Sequence, residues 1–190
     1  LDRWATDSHA SVDAGLEVRP AGDRLSAVFD AALWEPLGSG RRFATAGLGL
    51  ALRSTVERAQ PRWSLTAGLD HTSGGAPFDL WPGAGTGRAR SPLLRAHPLL
   101  ENGVVTGPVF GRRLVHTSGE YVHPVLTGVA GGLGLAGFVD VARAWQQDAA
   151  AGAWHADAGL GLRVMLPGNA GALRVDVARG LRDRRHVLSA

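Results

Sequence analysis

Apolar and polar residues alternate one for one through segment after segment of this chain, and a period of two belongs to β-strands with unlike faces. In residues 23–34 the odd positions Leu25, Ala27, Phe29, Ala31 and Leu33 are apolar, with Ser26 and Asp30 between them. Residues 43–56 set Ala44, Ala46, Leu48, Leu50 and Leu52 against Thr45, Gly47, Gly49 and Arg53. The same pattern runs through 62–72, 153–166 and 171–181. Less regular candidates cover 8–19, 110–122, 133–145 and a clipped 185–190, which makes nine strands. Most are 10–14 residues long. Soluble strands average about 5–6 residues, whereas tilted strands crossing a bilayer need roughly 9–11.

Composition removes other classes. Glycine supplies 27 of 190 residues, hydrophobic residues make up 45%, and mean hydropathy is zero. That is too apolar for a disordered chain and too glycine-rich for a helical bundle. Without cysteine there is no disulfide framework, thiolate zinc site or cysteine nucleophile. Every base is arginine, and the balance of 20 − 17 = +3 gives no reason to expect nucleic acid as a partner. The longest run free of acids and bases, 121–139, contains Pro124 and five glycines, so it is no spanning helix. The opening Leu1-Asp2-Arg3 has no signal-peptide pattern, as expected of a mature or excised piece.

The distribution of charge decides between kinds of β structure. A soluble barrel or sandwich hides its apolar face and shows its charged one. Here the second face mixes Gly, Ala, Ser and Thr with single Arg, Asp, Glu and His, as the lumen of a membrane barrel does. Trp34, Trp63, Trp145 and Trp154 fall near strand ends, where an interfacial girdle would lie. The expected fold is therefore all-β, an antiparallel transmembrane β-barrel in contact with lipid. The competing fold is a soluble β-sandwich binding module. The interval 73–108 breaks the pattern: it is a long connection holding Arg88, Arg90 and Arg95 together with the apolar stretches 78–81 and 92–94. Loops this long are functional or disordered, and its apolar content favours one folded back onto the barrel.

Motifs in the second half then become recognisable. Leu94-Arg95-Ala96-His97, Gly119-Glu120-Tyr121-Val122-His123-Pro124 and Gly137-Phe138-Val139-Asp140-Val141-Ala142 are followed in order by Ala158-Gly159-Leu160-Gly161-Leu162-Arg163 and Leu173-Arg174-Val175-Asp176-Val177-Ala178. Over about residues 93–183 this order resembles the bacterial surface-antigen superfamily of outer-membrane barrels, which comprises the BamA/TamA-type assembly factors and the two-partner secretion transporters. The resemblance implies a sixteen-stranded barrel in the bacterial outer membrane, usually preceded by periplasmic POTRA domains, of which this chain is the C-terminal part. It implies insertion or translocation of polypeptide clients, with no enzyme chemistry and no cofactor. It also implies that an extracellular loop, here 73–108, enters the lumen, that Arg95 is its tip, and that Glu120, Phe138 and Asp140 on the wall receive it. Ala96 and His97 replace the glycine and aromatic of the family tip, and Ala142 replaces the glycine after the Phe-x-Asp motif.

Physical chemistry supports such a lock. A guanidinium offers five donors in a planar fork suited to carboxylates, and one pair in a partly desolvated lumen can hold a costly loop. Asp157 and Asp176, with Arg163 and Arg174, are expected to form a charge network on the same lumen face. Other motifs carry less. Gly132-x-Gly134-x-x-Gly137 matches a dinucleotide fingerprint, but a strand follows where a helix is required. Ser39, Ser73 and Ser118 lack an arranged His and Asp. His116 and His123 are seven apart and His155 is remote, a pattern more often of lumen or turn residues than of a metal site. A further alternative keeps the barrel but makes it the anchor of a fused N-terminal enzyme, such as a patatin-like hydrolase.

Overall fold

The alternating segments pair with their neighbours in chain order. In a computed structural model, described over residues 8–55, 57, 59–86, 93–101, 104–128, 131–146, 152–167 and 171–189, twelve strands and one 3₁₀ turn are present. They are β1 (His9–Val18), β2 (Pro20–Asp23), β3 (Leu25–Pro36), β4 (Phe43–Arg53), β5 (Arg62–Thr72), the 3₁₀ turn Phe78–Leu80, β6 (Leu100–Glu101), β7 (Val104–Val105), β8 (Arg113–Gly128), β9 (Gly131–Trp145), β10 (His155–Met165), β11 (Ala172–Gly180) and β12 (His186–Ser189). Nine of them form one antiparallel sheet in the order β1-β3-β4-β5-β8-β9-β10-β11-β12. These nine correspond to the nine alternating segments. β1 and β12 sit at opposite ends of the order and do not pair with one another, so the sheet is open. Nine is the number expected of this chain as part of a larger barrel.

Register keeps the two faces distinct across the whole sheet. Leu16 pairs with Phe29, Phe29 with Leu48 and Leu48 with Leu69. Further on, Val139 pairs with Ala158 and Leu160 with Val177. This face stays bare: Leu16, Leu33, Leu48, Leu69, Val139, Val177 and Leu188 are all exposed, and Leu160 reaches 73%. The opposite face carries small and charged residues, and the 73–112 connection packs against it. No helix among the described residues is long and apolar enough to cross a membrane, which does not bear on strands.

Two details differ from the sequence reading. The strand expected at 110–122 starts at Arg113 and continues to Gly128, past Pro124. A register shift between Pro124 and Leu126 accommodates the missing proline N–H, as bulges do. Trp34 is not part of an outward girdle. It lies at an even position of β3, facing the loop, and stacks on Phe43 at 5.4 Å. With Phe43, Ala76, Trp81, Phe78, Leu80 and Phe110 it forms the apolar base of the connection. Trp63 and Trp154 do face outward and are exposed.

Candidate functional site

The long connection descends onto the wall in two stages. At its base Trp81 is buried, and its indole N–H donates to Ala76 O at 3.1 Å. Further along, Leu94 and Val109 pack with Leu114, Ala142 and Ala144. Between these anchors the chain doubles back tightly at Gly85, whose φ is +147°. A Cβ there would meet the His97 carbonyl, so only glycine fits. Arg88, Arg90 and Pro92 lie outside the described residues. The consequence is that Leu94, Arg95, Ala96 and His97 are all buried against the wall.

The wall they meet is a grid set by strand register. Ser118, Asp140, Asp157 and Gly180 form one row across β8 to β11; Glu120, Phe138, Gly159 and Ala178 form the next. Gly161 and Asp176 lie one row further, then Arg163 opposite Arg174. The two glycines make the hollow. A Cβ on Gly159 would strike Phe138 Cζ, and one on Gly161 would strike the Asp176 carboxylate and Arg163. Phe138 can therefore lie flat across β10 and offer its ring face.

Arg95 occupies this hollow. Its guanidinium carbon stands 3.7 Å from the Phe138 ring centroid, a cation–π distance. Its Nη1 donates to Glu120 Oε2 at 2.9 Å and to Asp176 Oδ2 at 3.3 Å, and its Nε lies 3.2 Å from Asp140 Oδ2. Arg163 grips the same carboxylates. Its Nε and Nη2 take both oxygens of Glu120 at 3.1 and 2.7 Å, while Nη1 donates to Asp176 Oδ1 at 2.6 Å. Arg174 Nε donates to Asp176 Oδ2 at 2.8 Å, and the Ser118 hydroxyl donates to Asp140 Oδ1 at 2.6 Å. Three guanidiniums thus meet three carboxylates within this set of contacts.

Asp157 works beside this cluster. Its Oδ2 accepts the Ala96 N–H at 2.6 Å, and its Oδ1 lies 2.8 Å from His97 Nδ1. His97 Nε2 lies 3.0 Å from Asp183 Oδ2 in the β11–β12 turn, and the His155 ring stands edge-on at 5.4 Å. The Asp157 hydrogen bond raises the His97 pKa against the opposing effect of burial, and the charges of Asp157 and Asp183 add to the rise.

All eight residues singled out from sequence, Arg95, Glu120, Phe138, Asp140, Asp157, Arg163, Arg174 and Asp176, therefore lie in one contiguous set of contacts. Sequence reasoning did not assign Asp183, the Ala96 N–H or the pairing role of His97. Asp183 lies 86 residues from His97 in a turn, with no alternation to mark it. The three histidines considered for metal diverge: His116 faces the loop side, His123 faces outward and is exposed, and His155 sits by His97. No group of three His, Cys, Asp or Glu able to hold a metal occurs among the described residues.

A long-stranded antiparallel sheet, apolar on one face and holding an arginine-tipped loop on the other, is consistent with half of a β-barrel. Residues 96–187, just under half of the chain, match the family model of the Omp85 superfamily domain, the same grouping the motifs resemble. Its members are in general bacterial outer-membrane proteins that insert or translocate other proteins, and in general they are not enzymes. No curated protein matches the chain.

Proposed function

We propose that this chain is the C-terminal portion of a sixteen-stranded outer-membrane barrel that inserts or translocates polypeptide clients, and that the 94–97 tip is the lock holding its loop inside the lumen. The observation that carries this reading is the pairing of a bare apolar face with a buried, ion-paired network on the other. In lipid the first needs hydrocarbon and the second needs a sheltered lumen. The open edges at β1 and β12 require further strands, since unpaired backbone groups are costly in hydrocarbon. Those strands, and any POTRA domains, would come from the rest of the protein.

The lock acts by position. A loop tied to β8, β9, β10 and β11 at once braces four neighbouring strands against shear and keeps the lumen occupied until a client displaces it. Replacing Arg95 with alanine in the full protein should lower the temperature at which the folded barrel loses its fast gel mobility, and should reduce client insertion or transport. Unchanged heat resistance together with unchanged activity would contradict the lock.

A further inference from the structure

Outside the lock, charge on the apolar face follows a second order. Among the described residues of the nine-stranded sheet, the arginines on this face are Arg113, Arg143 and Arg179, and all three stand at the rim nearest the long loop. Register places His71, Arg113 and Trp145 in one row across β5, β8 and β9; Arg143 lies opposite Val115, one step toward the middle, and Arg179 pairs with His186. Just beyond them begins the bare apolar band of Leu69, Val139, Leu160 and Val177. At the opposite rim the outward positions of the described strands include Leu52, Trp63, Leu133, Val164 and Leu173, while Arg53 and Arg62, which end β4 and β5 there, occupy positions of the other face.

Among the described residues these arginines are not neutralised by carboxylates. Glu35 is the carboxylate on this face, and Arg42 approaches it at 3.5 Å. No carboxylate among the described residues pairs with Arg113, Arg143 or Arg179. Arg143 uses its Nε on the Gly152 carbonyl at 2.7 Å and lies 5.5 Å from the Trp154 ring centroid, and among the described residues its Nη atoms meet no carboxylate. Arg113 overhangs a groove of about 400 Å³ whose outward lining includes Phe29, Leu48, Leu69, His71 and Trp145. Asp70, which also borders it, belongs to the other face, where His116 lies 3.6 Å away.

We infer that this rim is a binding site for lipid headgroups with net-anionic phosphate in the leaflet on the long-loop side. Arg113, Arg143 and Arg179 take the phosphate oxygens, and the groove below Arg113 receives the first part of an acyl chain. The inference rests on the membrane-barrel reading. Guanidinium forks suit phosphate bidentately, aliphatic stems of arginine lie comfortably along apolar surface, and tryptophan prefers the interface between the two media. On the outward face the arginines of the described strands gather at one rim, which fits a bilayer whose two leaflets differ in net anionic charge.

The test uses the full protein folded into phosphatidylcholine vesicles carrying a minor fraction of lipid A, or lipid A stripped of its phosphates, with retained lipid counted by native mass spectrometry after detergent extraction. Each arginine near an anionic surface is worth about fivefold in affinity. The expected result is retention of lipid A over its dephosphorylated form and over phosphatidylcholine, whose phosphate is offset by choline, and retention roughly 25-fold weaker in the Arg113→Gln/Arg143→Gln variant. Should that variant not fold, exposed Arg179→Gln alone is expected to lose about fivefold. Equal retention of both lipid forms, or undiminished retention by the variants, would overturn the site. So would displacement of the lipid by inorganic phosphate, which would make free phosphate the ligand. Heat-resistant folding in phosphatidylcholine alone reports the barrel reading separately, so the two failures are distinguishable.

Discussion

The loop-facing side of the sheet is two different surfaces. Across β8 to β11 it is crowded with paired charge: Arg95, Arg163 and Arg174 answer Glu120, Asp140 and Asp176 within a few ångströms. Across β3 to β5 the same side holds Asp30, Gly47, Gly49, Thr66 and Gly68, and the connection touches it near the rim through Phe43, Trp34 and Trp81. Both halves alternate in the same way and both place carboxylates inward. The difference lies in what the loop brings to each, an aromatic base to one and a cationic tip to the other. Apolar contact holds the base wherever surfaces fit, whereas the tip depends on particular partners in particular register.

That contrast can be broken at its strongest point first. Arg95→Ala leaves Glu120, Asp140 and Asp176 facing one another with one cation fewer, and losing one partner of a buried pair costs about 3–5 kcal/mol. Thermal denaturation followed by gel mobility should show the largest drop of any single change on this face. Asp157→Ala should come next, because it orphans the Ala96 N–H and one side of His97. Unsatisfied buried groups cost about 1–3 kcal/mol each, and proteolysis within the loop at subdenaturing temperature should rise accordingly.

A third experiment uses pH. The folded pKa of His97 lies above its ordinary 6.5 because its hydrogen bond to Asp157, with the charges of Asp157 and Asp183, outweighs the opposing effect of burial. Its stabilising contribution is therefore complete below about pH 6.5 and is lost as pH rises through the raised folded value. Heat resistance of the wild type should decline over that window, while His97→Phe should flatten the profile. The smallest effect belongs to the other half of the face. Asp30→Ala, away from the tip, should stay within about 0.5 kcal/mol by the same thermal assay.

Much of this was legible before any coordinates. Alternation placed nine strands and assigned each residue a face, since one step of register moves every side chain to the other side. It also put Asp157, Arg163, Arg174 and Asp176 on one wall, and family motifs singled out Arg95, Glu120, Phe138 and Asp140. What alternation cannot carry is the path of a long connection. The aromatic base around Trp81, the turn at Gly85 and the reach of His97 to Asp183 depend on where the loop lands. Trp34 was misread because closeness to a strand end says nothing about parity. Strand 110–122 was misplaced because a bulge lets a ladder continue past proline.

The account depends most on which medium each face meets. The chain has no cysteine of its own, so Leu160→Cys and Thr66→Cys can each carry a single polarity-sensitive fluorophore in the protein folded into vesicles. Spin-labelled acyl chains should quench the dye at position 160 strongly and the dye at 66 hardly at all. Equal quenching at both positions, or none at 160, would contradict the account.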